Sequence, residues 1–378
     1  MPFAIKNQGT VFAGEQGSLR QSSLYPGVSV LPSGRCIVTF RTASFREATT
    51  EQHIQMCFSD DGGKTWSDPR EYFNRAPLID SRSGDFFTMY TTPMGGSEVL
   101  GLLLWVDTSR PERPYYNPET NGIIDHKLFI TRSHNSGNDW DTPVPMDGMP
   151  TGRPTAHTAP VLLLPDGTLG CQFEVHKHHD DNGPKFFEGA MIFSSDGGKT
   201  WGNYSIVSHD PDMRIFWWDQ RINQVGDKLL ALFWTYDDKE SRYLNIHAAQ
   251  SPDGGKTWGE HYDTGVSGQP SQPVLLKDGS IAMAYIDRTA SPAIKVRRSF
   301  DGGVTWPGDT ELIVFNSDLM KQDKEKTTMS EMWSEMYRFS VGFPSIALMP
   351  DGNLLVTYYS GTHTDHTAIR YAVVDTEQ

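Results

Sequence analysis

Several short stretches of the chain combine carboxylates, histidines, arginines and aromatic residues at the ends of apolar runs. The densest are FEVHKHHDD (173–181), RIFWWDQR (214–221) and FWTYDD (233–238). A pair of carboxylates can supply the acid and the base that a glycosidic bond needs, and aromatic side chains offer flat apolar surface to sugar rings. These residue types therefore predict a carbohydrate site.

The candidates are residues expected where strands enter or leave one end of the fold, because side chains there converge on a shared pocket. The candidate catalytic residues are Glu174, His176, Asp219, Tyr236 and Asp237. The candidate substrate-binding residues are Arg41, Arg82, His157, Trp218, Trp234, Asp287, Arg288 and Tyr359. Glu174 is expected to be one carboxylate of the pair, and Asp219 or Asp237 the other. The distance between the two carboxyl groups would predict the stereochemical outcome at the anomeric carbon, about 5–5.5 Å for retention and about 6.5–9.5 Å for inversion.

One eight-residue motif recurs along the chain and indicates the elements that position these residues. It reads SDDGGKTW (59–66), SSDGGKTW (194–201), SPDGGKTW (251–258) and SFDGGVTW (299–306), with a worn copy, SHNSGNDW, at 133–140. Asp bonds to backbone N–H groups just downstream, Gly accepts positive φ, and a Trp buries a large apolar area. Each copy predicts a hairpin tip that is bonded by its own side chains and anchored by an indole.

Each copy follows two apolar strands joined by a short turn, as in APVLLLPDGTLGCQFE (159–174). Six such units predict an all-β fold, a six-bladed β-propeller with four-stranded antiparallel blades in a single domain over 1–378. The last unit lacks a fourth strand, which the N-terminal stretch is expected to supply. The predicted blades are 25–70, 80–145, 157–205, 217–262, 268–312 and 341–376 together with 3–13.

The motif resembles the Asp-box, or BNR repeat, of the sialidase superfamily, whose domains are six-bladed propellers. The resemblance implies that the boxes lie away from the active site. It also implies an Arg in the first innermost strand, where this chain has YPGV (25–28), and an acid/base Asp where it has TEQHIQ (50–55). The blade 5 entry, GQPSQPVLL (268–276), has no Arg either, and the family's Glu at the entry to blade 4 aligns near Asp219. The sequence therefore predicts a relative that is not a true sialidase.

The leading functional prediction is a glycoside hydrolase acting on a glycan end, with Trp218, Trp234 and Tyr236 as the sugar platform. The predicted fold resembles the exo-arabinanase family, which also has six blades. One alternative is a polysaccharide lyase on a uronate, built on His176, Tyr236 and Arg288, which resembles lyases on related propellers. Another is a sugar-binding propeller without catalysis. No cofactor or metal is predicted, because HKHHDD (176–181) is more typical of an exposed polar loop.

Composition excludes some partners. The formal net charge of −14 disfavours nucleic acid. No long apolar run predicts a membrane span, and the three cysteines, Cys36, Cys57 and Cys171, are expected to be reduced core thiols. Without a visible signal peptide the chain is expected to be cytoplasmic, or secreted if a leader was removed. The expected partner is a carbohydrate, and the sequence predicts no oligomeric state.

Overall fold

The computed structural model describes residues 3–48, 51–149, 152–317 and 329–377. Strands dominate this part of the chain, which also contains the helix α1, Met329–Met336, and a short 3₁₀ turn, Gly308–Thr310. The predicted all-β class is confirmed.

The strands form antiparallel sheets that follow one another in chain order. Blades 2 to 5 are separate sheets, whereas blades 1 and 6 share one sheet only through a parallel contact of Ser22 with Thr367. Blade 1 contains Ser22–Val30, Cys36–Ala43 and His53–Ser59, with Arg70 pairing to Met56 at its outer edge. Blade 2 contains Gly84–Gly95, Glu98–Asp107, His126–Ser133 and Val144–Pro145. Blade 3 contains Thr155–Ala156, Leu162–Leu163, Leu169–His176, Phe187–Ser194 and Gly202–Ser208.

The remaining blades repeat this pattern. Blade 4 contains Ile215–Val225, Lys228–Asp237, Arg242–Tyr243, Asn245–Ser251 and Tyr262–Ser267. Blade 5 contains Gln269–Pro270, Val274–Leu275, Ile281–Asp287, Ala293–Ser299 and Leu312–Asn316. Blade 6 contains Val341–Leu348, Leu354–His363, His366–Asp375 and the N-terminal strand Ala4–Ala13. The described chain thus forms the predicted β-propeller.

The N-terminal strand closes the last blade, as predicted. It pairs antiparallel with the strand His366–Asp375, from Ala4 opposite Asp375 to Ala13 opposite Ala368. The junction with blade 1 is secured by Thr367, whose Oγ1 donates to the Ser23 carbonyl at 2.7 Å and accepts from the Ser23 N–H at 3.0 Å.

The core lies between neighbouring blades, where apolar side chains from facing sheets interlock. Leu102 and Leu104 of blade 2, for example, share a cluster with Cys171 and Phe173 of blade 3. All three cysteines are free and buried, as expected, and burial raises the pKa of the Cys36 thiol to about 12. They are therefore inert packing residues.

The repeated motifs form the predicted hairpin tips between the third and fourth strands of their blades. In the copy at 299–306, Asp301 accepts from the backbone N–H of Thr305 at 2.9 Å and from its hydroxyl at 2.6 Å. Ser299 Oγ accepts from the Gly303 N–H at 2.9 Å, and Gly303 has a φ of 90°. The Trp306 indole donates to the Gly303 carbonyl at 3.1 Å and is buried.

A long insert follows the second strand of blade 2. It contains a small two-stranded ribbon, Tyr116–Asn117 with Gly122–Ile123. The Trp333 ring of α1 stacks on Tyr116 with centroids 4.8 Å apart. The insert and α1 therefore meet at the end of the propeller that carries the candidate residues.

Candidate active site

The innermost strands are irregular where they approach the propeller axis. In blades 1, 4 and 6 the pairing register shifts around Tyr25, Asp219 and Phe343, which have φ of 54°, 50° and 53°. A bulge of this kind re-aims a side chain that regular pleating would direct elsewhere. All three residues consequently line one central cavity.

The cavity has a volume of about 570 Å³, within the range of small-molecule sites. Its aromatic wall includes Tyr25, Phe87, Tyr115, Trp333, Tyr337 and Phe343. Its charged or titratable lining includes Arg46, Glu47, Glu112, Arg113, His157, Glu174, His176, Asp219 and Arg288. This is an apolar, concave site with a few convergent polar groups.

Glu174 reaches the cavity from the end of the second strand of blade 3. Its Oε2 lies 3.2 Å from His176 Nε2, and its Oε1 accepts from the Gln220 N–H at 3.4 Å. The residue is 5% exposed. These contacts come from blades 3 and 4, so they orient the carboxylate across the blade boundary.

Asp219 enters from blade 4 on the bulged strand. Gln269 Nε2 donates to Asp219 Oδ2, while Gln269 Oε1 accepts from Arg288 at 3.1 Å. Burial raises the pKa of the Asp219 carboxyl above its ordinary value; the Arg221 guanidinium opposes this shift and the Glu174 carboxylate adds to it. Asp219 therefore holds a proton more readily than an ordinary aspartate does.

Two buried arginines add positive charge. Arg46 donates to the Phe339 carbonyl at 2.9 Å and to the Tyr359 hydroxyl at 3.3 Å. Arg288 donates to Gln269 and to the Val341 carbonyl, both at 3.1 Å, and burial lowers its pKa. Within the described residues neither guanidinium forms an ion pair with a carboxylate. Both can therefore receive an anionic group of a ligand.

Other predicted residues also lie in the cavity wall. His157 Nε2 is 3.3 Å from Thr88 Oγ1, and burial lowers the pKa of His157 to about 3, so its ring is neutral near pH 7. Trp218 and Trp234 are buried except for the edges that line the cavity. Tyr359 lines it too and carries the hydroxyl that accepts from Arg46.

Comparison with known families places the chain. The model of the BNR repeat-like domain matches residues 114–356. The chain belongs to the BNR repeat-like family. This confirms the resemblance that the repeated boxes indicate.

Solved structures share the fold of this BNR repeat-like protein. A protein of unknown function from Dyadobacter fermentans is 17% identical, with a TM-score of 0.73 and 99% of both chains covered. A Hadza microbial sialidase is 16% identical with a TM-score of 0.67, covering 94% of this chain and 66% of that one. The Trypanosoma rangeli sialidase solved with sialic acid is 14% identical with a TM-score of 0.60, covering 98% of this chain and 57% of that one. Comparison with curated protein sequences finds no match.

The low identities establish a common fold and a divergent sequence. The BNR repeat-like chain spans about two thirds or less of the length of these two sialidases. The shared fold therefore does not assign the chemistry of the cavity.

Two predicted substrate-binding arginines of the BNR repeat-like protein lie outside the central cavity. Arg41 is fully buried beneath it and donates to Gln52 and to the carbonyls of Arg46 and Ala48. Arg82 pairs with Asp107 and Asp125 at 2.8 and 2.5 Å. The hydrogen bonds of Arg41 hold the loop that follows its strand, and Arg82 lines a separate crevice.

Three further predicted residues are also engaged elsewhere. Tyr236 is buried under Trp218, with ring centroids 5.3 Å apart. Asp237 pairs with Arg214 at 2.9 Å, and Asp287 pairs with Lys295 at 3.0 Å. The structure therefore brings together Glu174, His176 and Asp219 in the cavity, but not Tyr236 or Asp237.

The sequence interpretation missed several lining residues as site candidates. Tyr25 and Phe343 each precede a Pro at the start of an innermost strand, in YPGV and FPSI. An aromatic–Pro pair at equivalent points of two blades is the signal that could have identified them. Tyr115, Trp333 and Tyr337 come from the insert and from the region of α1, where no repeat guides the alignment.

Two features are absent from the described residues. No group of three or more His, Cys, Asp or Glu side chains is arranged to hold a metal ion. No helix in this part of the chain is long and apolar enough to cross a membrane.

Proposed function

We propose that the protein is a glycoside hydrolase that acts on a glycan end bearing an acidic sugar, and that it is distinct from true sialidases. The observation that carries this proposal is the pair Glu174 and Asp219 in one buried, aromatic-walled cavity. Family and fold support the coarser statement that it is a carbohydrate-active enzyme or a carbohydrate-binding protein.

The two carboxyls have environments that suit different roles. Asp219, with its raised pKa, is the general acid that protonates the glycosidic oxygen. Glu174, oriented by His176 and the Gln220 N–H, is the carboxylate that attacks the anomeric carbon or activates water. Gln269 fixes the Asp219 carboxyl and is itself held by Arg288.

The buried arginines support an acidic substrate. Arg46 and Arg288 lie in the cavity without a carboxylate partner among the described residues, so a sugar carboxylate would complete their pairing. A Trypanosoma rangeli sialidase of the same fold was solved with sialic acid, which is an acidic sugar. The present chain has YPGV (25–28), without an Arg, where the resemblance implies the first Arg, and this difference argues against sialosides as its substrates.

The test is a screen of aryl glycosides and uronate polysaccharides, with sialosides as a further arm. On the substrate found, Glu174→Gln and Asp219→Asn are expected to lower kcat about 10²–10⁴-fold. Asp227→Asn, an exposed carboxylate in a turn of the same blade, is the matched control. Undiminished turnover by both cavity variants would refute the carboxylate pair, and turnover of sialosides would refute the distinction from sialidases.

A polysaccharide lyase is the second candidate, because His176 and Arg288 both line the cavity and could serve as the base and the carboxylate partner. Tyr236, the third member expected from the sequence, lies outside it, so this reaction would need Tyr25 or Tyr359 instead. A lyase forms an unsaturated uronate that absorbs in the ultraviolet, and a hydrolase does not. Binding without any turnover in the screen would instead support a non-catalytic protein.

A further inference from the structure

A second cavity adjoins the central one and is not used by the proposed mechanism. Its volume is about 470 Å³, and Arg113 and Ile124 line both cavities. We call it the polar crevice; the lining residues used here are Arg82, Asp107, Arg113, Asp125, His178 and Asp180. The two cavities are therefore neighbours that meet at Arg113 and Ile124.

The crevice is built from the blade 2 insert and the loop that follows the second strand of blade 3. Lys177, only 2% exposed, donates from Nζ to the Thr120 carbonyl at 2.8 Å. Asn117 and Thr120 both donate to the His179 carbonyl, at 2.8 and 2.5 Å. These bonds preorganise the walls, which lowers the ordering cost of binding.

The crevice presents donors and acceptors rather than aromatic faces. Asp125 accepts from Arg82 at 2.5 Å and contacts His178 Nδ1 at 2.8 Å. The His178 side chain is 45% exposed, and its Nε2 has no hydrogen-bond partner among the described residues. A polar crevice with a free imidazole nitrogen suits hydroxyl groups, which both donate and accept.

The crevice lining carries four aspartates and three arginines, so its charge gives no preference for a second anion. Arg82 is paired with Asp107 and Asp125, and Arg113 with Asp180. Asp181 also lines the crevice, so carboxylates outnumber the arginines among its described residues. Arg110, the third arginine of the crevice, is exposed, whereas Arg46 and Arg288 of the central cavity, unpaired among the described residues, are buried.

We infer that the polar crevice is a second subsite, which binds a neutral sugar unit next to the acidic terminal sugar in the central cavity. The inference rests on the proposed function, since it assumes that a glycan end occupies the central cavity. His178 is the residue expected to contact the neutral unit.

Ligand-observed NMR titration can test the two cavities separately. The probes are D-glucuronate for the central cavity, cellobiose for the crevice and cellobiouronate, glucuronate linked to glucose, for both. Cellobiouronate is expected to bind the wild-type protein at least tenfold more tightly than glucuronate. The His178→Ala substitution should remove most of this difference in affinity and weaken the binding of cellobiose, while the binding of glucuronate stays unchanged. The Arg288→Met substitution should weaken the binding of glucuronate and leave the binding of cellobiose unchanged.

His134→Ala is the matched control, since His134 is also an exposed imidazole paired with a carboxylate, Glu98 at 2.7 Å. Equal affinity for glucuronate and cellobiouronate, or a His178→Ala variant that keeps the difference, would overturn the second subsite. If the protein binds cellobiose through His178 but does not bind glucuronate, the crevice is a sugar site and the assignment of an acidic sugar to the central cavity is overturned. Absence of binding by all three probes would overturn both.

Discussion

Replacing Arg41 by Met tests whether this residue positions the cavity loop rather than contacting a ligand. The Arg41 side chain is fully buried, and its guanidinium donates to Gln52 Oε1 at 2.5 Å, to the Arg46 carbonyl at 3.0 Å and to the Ala48 carbonyl at 2.6 Å. Met keeps most of the apolar stem but provides no donor. Arg41→Met would therefore leave three acceptors without this partner.

The size of the effect follows from these three bonds. Each buried acceptor that loses its hydrogen bond to the guanidinium costs ~1–3 kcal/mol, which gives ~3–9 kcal/mol if the costs simply add. Local relaxation and the removed cost of burying a charge reduce the sum, so the expected loss is about 3–5 kcal/mol. Burial lowers the pKa of Arg41 to about 10, so the guanidinium is still charged at pH 7 and the estimate applies there.

Urea unfolding followed by tryptophan fluorescence measures this loss. Arg20→Met is the matched control, because the Arg20 side chain is 44% exposed and its ion pair with Glu71 is long at 3.5 Å. Its substitution should cost no more than ~1 kcal/mol. An Arg41→Met variant within ~1 kcal/mol of the wild type would refute the positioning role. The same variant should also weaken the binding of D-glucuronate. Arg41 donates to the carbonyl of Arg46, and Arg46 lines the cavity.

Three other substitutions give separate tests. Burial raises the pKa of Asp219 in the folded state, so ionisation of this carboxyl destabilises the folded protein as the pH rises above the ordinary Asp value of ~3.9. The Asp219→Asn variant should therefore be more stable than the wild type at pH 7. Urea titrations should show a smaller gain in stability at pH 4. Burial lowers the pKa of His126 to about 3, so the wild type should lose stability as the pH falls below ~6.5, at ~1.4 kcal/mol per pH unit. His126→Phe should remove that part of the loss, a relative gain of about 2 kcal/mol between pH 7.5 and 5, and an unchanged pH dependence would contradict it. Trp306→Ala should lower the free energy of unfolding by about 3–5 kcal/mol, because a buried indole is lost, while glucuronate affinity measured below the unfolding transition stays unchanged.

The fold could be predicted because its signals are local and repeated. Each box specifies its own turn through Asp, Gly and Ser at fixed spacing, and a strand pair precedes it. Even closure of the last blade follows from sequence, because that unit lacks a strand and Ala4–Ala13 is available to supply it.

The site was less predictable because it depends on backbone irregularities and on partners distant in sequence. Asp219 could be proposed from its place in an innermost strand, but the bulges that aim Tyr25 and Phe343 at the axis are marked in sequence only by an aromatic–Pro pair. The sequence offers Asp237 as the alternative second carboxylate and Asp287 as a substrate-binding residue, yet Arg214 and Lys295 pair with them. Such pairings cannot be read from strand order.

The pairing of Ala4–Ala13 with His366–Asp375 constrains how the protein is made. The strand Ala4–Ala13 is synthesised long before His366–Asp375, the strand with which it pairs. During that time its backbone groups are free to pair with another nascent chain. We therefore expect the strand Ala4–Ala13 to set the aggregation tendency during translation, and its deletion to leave His366–Asp375 as an exposed edge strand.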